Sequence, residues 1–128
     1  MGFFEDFKGA DTLLLDVDQD GLQALIECLQ VLTSSGRKTT MSDCPGVVLQ
    51  PGLRVDLLGA VDDAGLVRTA ARQFVWRRSE EGWAEVVDKL AAMEIGACHQ
   101  YLDGPRDNVQ VMASIREYGE AWWHRYGG

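Results

Sequence analysis

Asp16, Asp18 and Asp20 stand at alternate positions, Gly21 follows, and Glu27 comes after five more residues. That spacing satisfies the calcium-loop expression D-x-D-x-D-G-x5-E, in which several carboxylates offer oxygens to a hard cation and the glycine permits a sharp bend. Its surroundings argue for something plainer. The eighth loop position, usually apolar, is Gln23, and Leu13, Leu14 and Leu15 before the acids read as a strand rather than an entering helix. If the chain is helical from Leu22 onward, Glu27 lies more than a turn from Asp16 and cannot close a cage. The favoured expectation is an acidic strand-to-helix turn. Calcium held by Asp16, Asp18, Asp20 and Glu27 is the alternative, and no cofactor is otherwise expected.

Cys98 and His99 are neighbours, with Tyr101 two residues on. A cysteine–histidine pair does nucleophilic chemistry only when both side chains share a face and a third group orients the base. Adjacent residues of a strand point to opposite faces, so these two cannot act on each other directly. Cys44 could approach His99 only through the fold. A cleft near Cys44, Cys98 or His99, serving an enzyme or a small-ligand domain, is therefore the alternative to a non-catalytic protein. Trp122, Trp123 and Tyr126 form an aromatic tail with His124. Two neighbouring tryptophans cannot both face one core, so at least one covers another surface or anchors a partner.

The elements that must position these residues follow from periodicity. Leu13, Leu15 and Val17 alternate with Leu14 and Asp16, as in a strand. Leu22, Leu25, Ile26, Leu29 and Leu32 make one helical stripe, capped by Asp18 or Asp20 and closed by Gly36. Displaced by 61 residues the pattern returns: 13–15 meets Phe74, Val75 and Trp76, and Asp20-Gly21-Leu22 meets Glu81-Gly82-Trp83. Trp76 and Trp83 thus take core positions held by Leu15 and Leu22. At an offset of 60 the match continues, Thr39 with His99, Pro45 with Pro105 and Gly59 with Gly119. This predicts a single α+β domain over 1–128 built from a duplicated βαββ unit. Repeat one is 12–61, repeat two is 66–119, and the tail is 118–128. The expected architecture is a mainly antiparallel sheet of about six strands with two helices on one face, related by a pseudo-twofold. Residues 66–77 read as one long strand open to a bend near Ala70 and Ala71, 98–103 and 108–117 as a hairpin, and the second helix as 80–94.

At 128 residues, 46% apolar and 25% charged, the chain suits one globular domain. Cys28, Cys44 and Cys98 make an odd count in unrelated contexts, so a disulfide framework is not expected. The first residues carry acids where a signal peptide has bases, and no run is apolar enough for a membrane. A cytoplasmic location without membrane association is expected. Net charge is −8, carried mostly by residues 1–64, with 11 acids against 4 bases. Such a balance disfavours nucleic acid, which needs clustered lysine and arginine; it is compatible with a basic protein partner or a bound cation, and a solvated acidic surface that aids solubility is the more common reading.

Two stretches carry a likeness to a known family. The run from Asp20-Gly21-Leu22 to Glu27-Cys28-Leu29 after an apolar strand is one. His99-Gln100-Tyr101-Leu102-Asp103, followed by Asn108-Val109-Gln110-Val111-Met112-Ala113-Ser114, is the other. Together they resemble immunity protein 32 of bacterial polymorphic-toxin systems, a strand-helix-strand-strand unit with a histidine in its second strand. Here two such units would be fused, with Thr39 in place of the first histidine. The resemblance implies a small non-catalytic protein that neutralises a toxin by binding it. The partner surface, or a surface for self-association, is expected at Trp122, Trp123, Tyr126, His99 and Tyr101.

Overall fold

A computed structural model describes residues 1–7, 10–35, 38–44, 47–62, 64–93, 99–106 and 109–115. Its elements run β1 (Gly2–Phe7), β2 (Ala10–Val17), α1 (Gln19–Ser35), β3 (Thr39–Thr40), a 3₁₀ turn (Met41–Asp43), β4 (Arg54–Gly59), β5 (Gly65–Ala70), β6 (Gln73–Arg78), α2 (Glu80–Met93), β7 (His99–Arg106) and β8 (Val109–Ile115).

The fold is α+β, with eight strands rather than about six, arranged as two four-stranded sheets of order β1-β2-β8-β7 and β3-β4-β6-β5. Each sheet is mixed. Its central pair is parallel, β2 with β8 and β4 with β6, and its outer pairs are antiparallel. Exchanging β1–β4 for β5–β8 turns each order into the other, read in reverse. Each sheet therefore takes two strands from each half of the chain, and the element repeated in both halves is ββαββ.

Two departures from expectation account for the extra strands. Residues 2–7 pair with β2 as β1. Residues 66–77 are a hairpin rather than one strand, because the chain turns at Ala71 and Arg72 and lays Leu66 opposite Trp76. The register also moves the expected equivalences. Leu15 and Trp76 hold the same place, 61 apart, and their parallel partners are Ala113 and Leu57. Leu57 therefore answers to Ala113, an offset of 56, and Gly59 does not answer to Gly119. Thr39 pairs with Leu57 as Gln100 pairs with Ala113, so Thr39 answers to Gln100 rather than His99.

Both helices start on one device. Asp18 Oδ1 accepts from the Gly21 N–H at 2.7 Å, and Ser79 Oγ accepts from the Gly82 N–H at 3.0 Å. Each satisfies an N–H that the first turn leaves unpaired. The helices lie against each other and bury their stripes in one continuous core. That core holds Leu22, Leu25 and Leu29 of α1 with Trp83, Val86 and Leu90 of α2. Trp76 and Trp83 meet edge-on at 4.9 Å and fill it, as their repeat positions predict. The outer edge of β1 is covered by 48–50: the Met1 amine donates to the Val48 carbonyl, the Gln50 N–H to Met1 O, and the Phe3 N–H to Gln50 Oε1. Covering a strand edge in this way blunts unwanted pairing with another chain.

Candidate functional site

Strand pairing sets several of the sequence-predicted residues on one face of the β1-β2-β8-β7 sheet. Leu13, Leu15, Val111 and Ala113 point into the core, so their neighbours Thr12, Leu14, Asp16, Gln110, Met112 and Ser114 take the opposite face. Asp16 pairs with Ser114, and Ser114 with His99. Leu14 pairs with Met112, and Met112 with Tyr101. Two rows thus cross the sheet, one headed by a carboxylate and one apolar. Ser114 Oγ donates to Asp16 Oδ1 at 2.8 Å, and Gln110 Nε2 donates to Thr12 Oγ1 at 2.9 Å. Thr12, Leu14, Met112 and Ser114 are fully buried, whereas Tyr101 is 42% exposed.

The hydroxyl of Ser114 is engaged as a donor to the Asp16 carboxylate. His99 occupies the register position beside Ser114. Cys98, Trp122, Trp123 and Tyr126 lie outside the described residues.

The four acids of the calcium pattern take separate duties. Asp16 sits on β2 and accepts from Ser114. Asp18 caps α1, Asp20 is exposed in its first turn, and Glu27 is exposed further along the helix. They do not converge, and among the described residues no group of three or more His, Cys, Asp or Glu side chains could hold a metal ion. The cause is the cap: once Asp18 closes onto Gly21, the backbone enters a helix rather than wrapping a loop.

Three arrangements escaped the sequence pattern. Trp76 Nε1 donates to Asp103 Oδ2 at 2.8 Å, and the Arg78 guanidinium faces the same oxygen at 3.6 Å. Asp103 is 8% exposed and comes from β7, so this contact joins one sheet to the other. A shift in pairing register between Tyr101 and Asp103 turns Asp103 inward, a feature that alternation along β7 could not foretell. Second, Cys28 and Cys44, far apart in apparent context, act on one another: burial first, and then Cys28 and Asp43, push the Cys44 thiol well above its ordinary value.

Third, the paired helices carry a layer of exposed acids. Asp20 and Glu27 on α1 join Glu80, Glu81, Glu85 and Asp88 on α2. Lys89 is the single base in either helix, and it pairs with Glu85 at 3.3 Å. The acids were visible in the sequence, but their assembly on one layer follows only from contact between the helices. Among the described residues, no helix is long and apolar enough to cross a membrane. No family model, curated protein or solved structure matches the chain.

Proposed function

We propose that this protein is a non-catalytic binding protein that neutralises a basic partner protein, in the manner implied by its resemblance to immunity protein 32. The observation that carries the reading is the acidic layer over α1 and α2, six exposed carboxylates against one lysine already paired. A surface of one sign raises the rate at which an oppositely charged protein arrives and fixes its orientation. Tyr101 supplies what charge alone lacks, an exposed ring at a sheet margin able to bury apolar area while its hydroxyl hydrogen-bonds. The tail residues Trp122, Trp123 and Tyr126, together with His99, complete the contact in this proposal. A cationic toxin, such as a nuclease, is the partner chemistry that fits.

The test is binding to a basic toxin candidate encoded beside this protein, read by kinetics and by protection of cells. Association should slow steeply between low and physiological salt. The quadruple change Glu80→Lys, Glu81→Lys, Glu85→Lys and Asp88→Lys should lower the association rate by about tenfold or more, the range electrostatic steering covers. Absence of binding and of protection, or binding indifferent to charge reversal, overturns the reading.

A further inference from the structure

We infer that the outer face of the β1-β2-β8-β7 sheet is an internal docking site for the aromatic segment 116–128, with one ring of the Trp122–Trp123 pair seated on Leu14 and Met112. Register lays Gly2, Leu14, Met112 and Tyr101 in one row across all four strands. Leu14 and Met112 are 0% exposed, as are Thr12 and Ser114 beside them, and all four are buried within a single chain. Yet none of the four belongs to the central core, which takes Leu13, Leu15, Val111 and Ala113 from the same strands. Both helices and the second sheet put their apolar side chains into that core, on the other side of the sheet. They do not account for the cover over Leu14 and Met112, so another part of the same chain does.

Length and composition single out the segment that follows Ile115. It leaves β8, a central strand, two residues past Ser114. Its reach is about 20 Å even as a helix, against about 14 Å for four strands side by side. Every other stretch outside the described residues is five residues long or shorter, and none contains phenylalanine, tyrosine or tryptophan. The second sheet supplies the contrast. There Val75 answers to Leu14 and Asp56 to Met112, on a face where Arg54, Gln73 and Arg77 are exposed. Only 60–64 separate β4 from β5, too little chain to cover that face, and the face is charged. Where a longer segment follows the central strand, the same positions are apolar. Taking an indole and this apolar row out of water together drives the docking without any partner. Adjacent residues cannot both turn to one surface, so the other ring of the pair points outward. That ring is free to serve the proposed partner, but the docking does not depend on that reading.

The experiment uses the full chain alone, so its outcome is separate from whether any toxin binds. The methyl groups of Met1, Met41, Met93 and Met112 are labelled with carbon-13, and nuclear Overhauser spectra record which of them lie against indole protons. Met112→Leu assigns the Met112 signal. The expected result is a set of cross-peaks from Met112 to one indole, lost in one of Trp122→Leu and Trp123→Leu and kept in the other. With 5-fluorotryptophan in the otherwise unaltered chain, three of the four resonances should be shielded from solvent: Trp76, Trp83 and one tail ring. Absence of indole cross-peaks at Met112, or cross-peaks untouched by both substitutions, overturns the inference. So does a cross-peak found only between differently labelled copies, which makes the occupant a second chain. Only two shielded fluorine resonances overturn it as well, and that reading requires no variant to fold.

Discussion

Asp103 carries more than its share of the junction between the sheets. It accepts the Trp76 indole N–H and faces Arg78, whose guanidinium also reaches Glu85 at 3.6 Å. Removing the carboxylate in Asp103→Ala leaves a buried N–H unsatisfied and a largely buried cation without its inner partner. The expected loss is about 3 kcal/mol in urea unfolding, with Asp103→Asn costing less because an acceptor remains. Cys44 gives a prediction in pH. Its thiol is held up by burial first, then by Cys28 and Asp43. The unfolded chain releases that proton near 9.0, while the folded chain retains it. The contribution to stability is therefore complete below about pH 9 and declines above it, by up to about 1.4 kcal/mol per unit. Equilibrium unfolding measured from pH 8 upward should show this slope, and Cys44→Ala should remove it. Trp76 and Trp83 were legible as core residues because their positions repeat those of Leu15 and Leu22. The acceptors of their N–H groups, Asp103 and the Leu58 carbonyl, were not, since a hydrogen bond between elements distant in sequence leaves no periodic trace.

The helices show how well local rules can be read. Their apolar stripes, and the Asp18 cap of α1, could be read from nearby residues alone because helix spacing and capping act within a few positions, and the Ser79 cap of α2 obeys the same rule. Asp18→Ala and Ser79→Ala should each cost about 1 kcal/mol, measured by thermal or urea unfolding. Strands were less legible. Ala71 and Arg72 turn β5 into β6 without glycine, proline, asparagine or aspartate, so nothing punctuates that hairpin in the sequence. β1 hid behind Glu5 and Asp6, and β3 is only Thr39–Thr40 beside the 3₁₀ turn. Pro51 and Gly52 form a turn ahead of β4, and Gly52 takes a left-handed φ of 78°. An added Cβ there would meet only Arg72 side-chain atoms at 3.9 Å and beyond. Gly52→Ala should therefore lose about 1 kcal/mol to backbone strain alone, with no change in packing.

At the scale of the molecule, each half supplies two strands to each sheet. Alternation tells which side of a strand faces inward and says nothing about which strand lies beside it, so this interleaving was hidden while the α+β class was plain. The candidate surface was half legible for a related reason: the acids could be counted, but the helix contact that gathers them could not. Residues 1–62 expressed alone should fail to form a stable monomer, because neither sheet can be completed and the parallel partners of β2 and β4 are missing. Circular dichroism should show little cooperative unfolding for either half, and mixing 1–62 with 64–128 should restore it.

The pairing of β2 with β8 bears on how the chain is made. Bonds such as that from Gln110 to Thr12 close a separation of 98 residues, and contacts so distant form slowly because a long loop must first be gathered in. On the ribosome, Leu13, Leu14 and Leu15 would wait beside their hairpin mate while the 98 residues that separate Thr12 from Gln110 are added. Until Ile115 clears the exit tunnel, an oily parallel edge stands open, and whatever shields it in that interval governs how much of the newborn protein is saved from sticking to its neighbours.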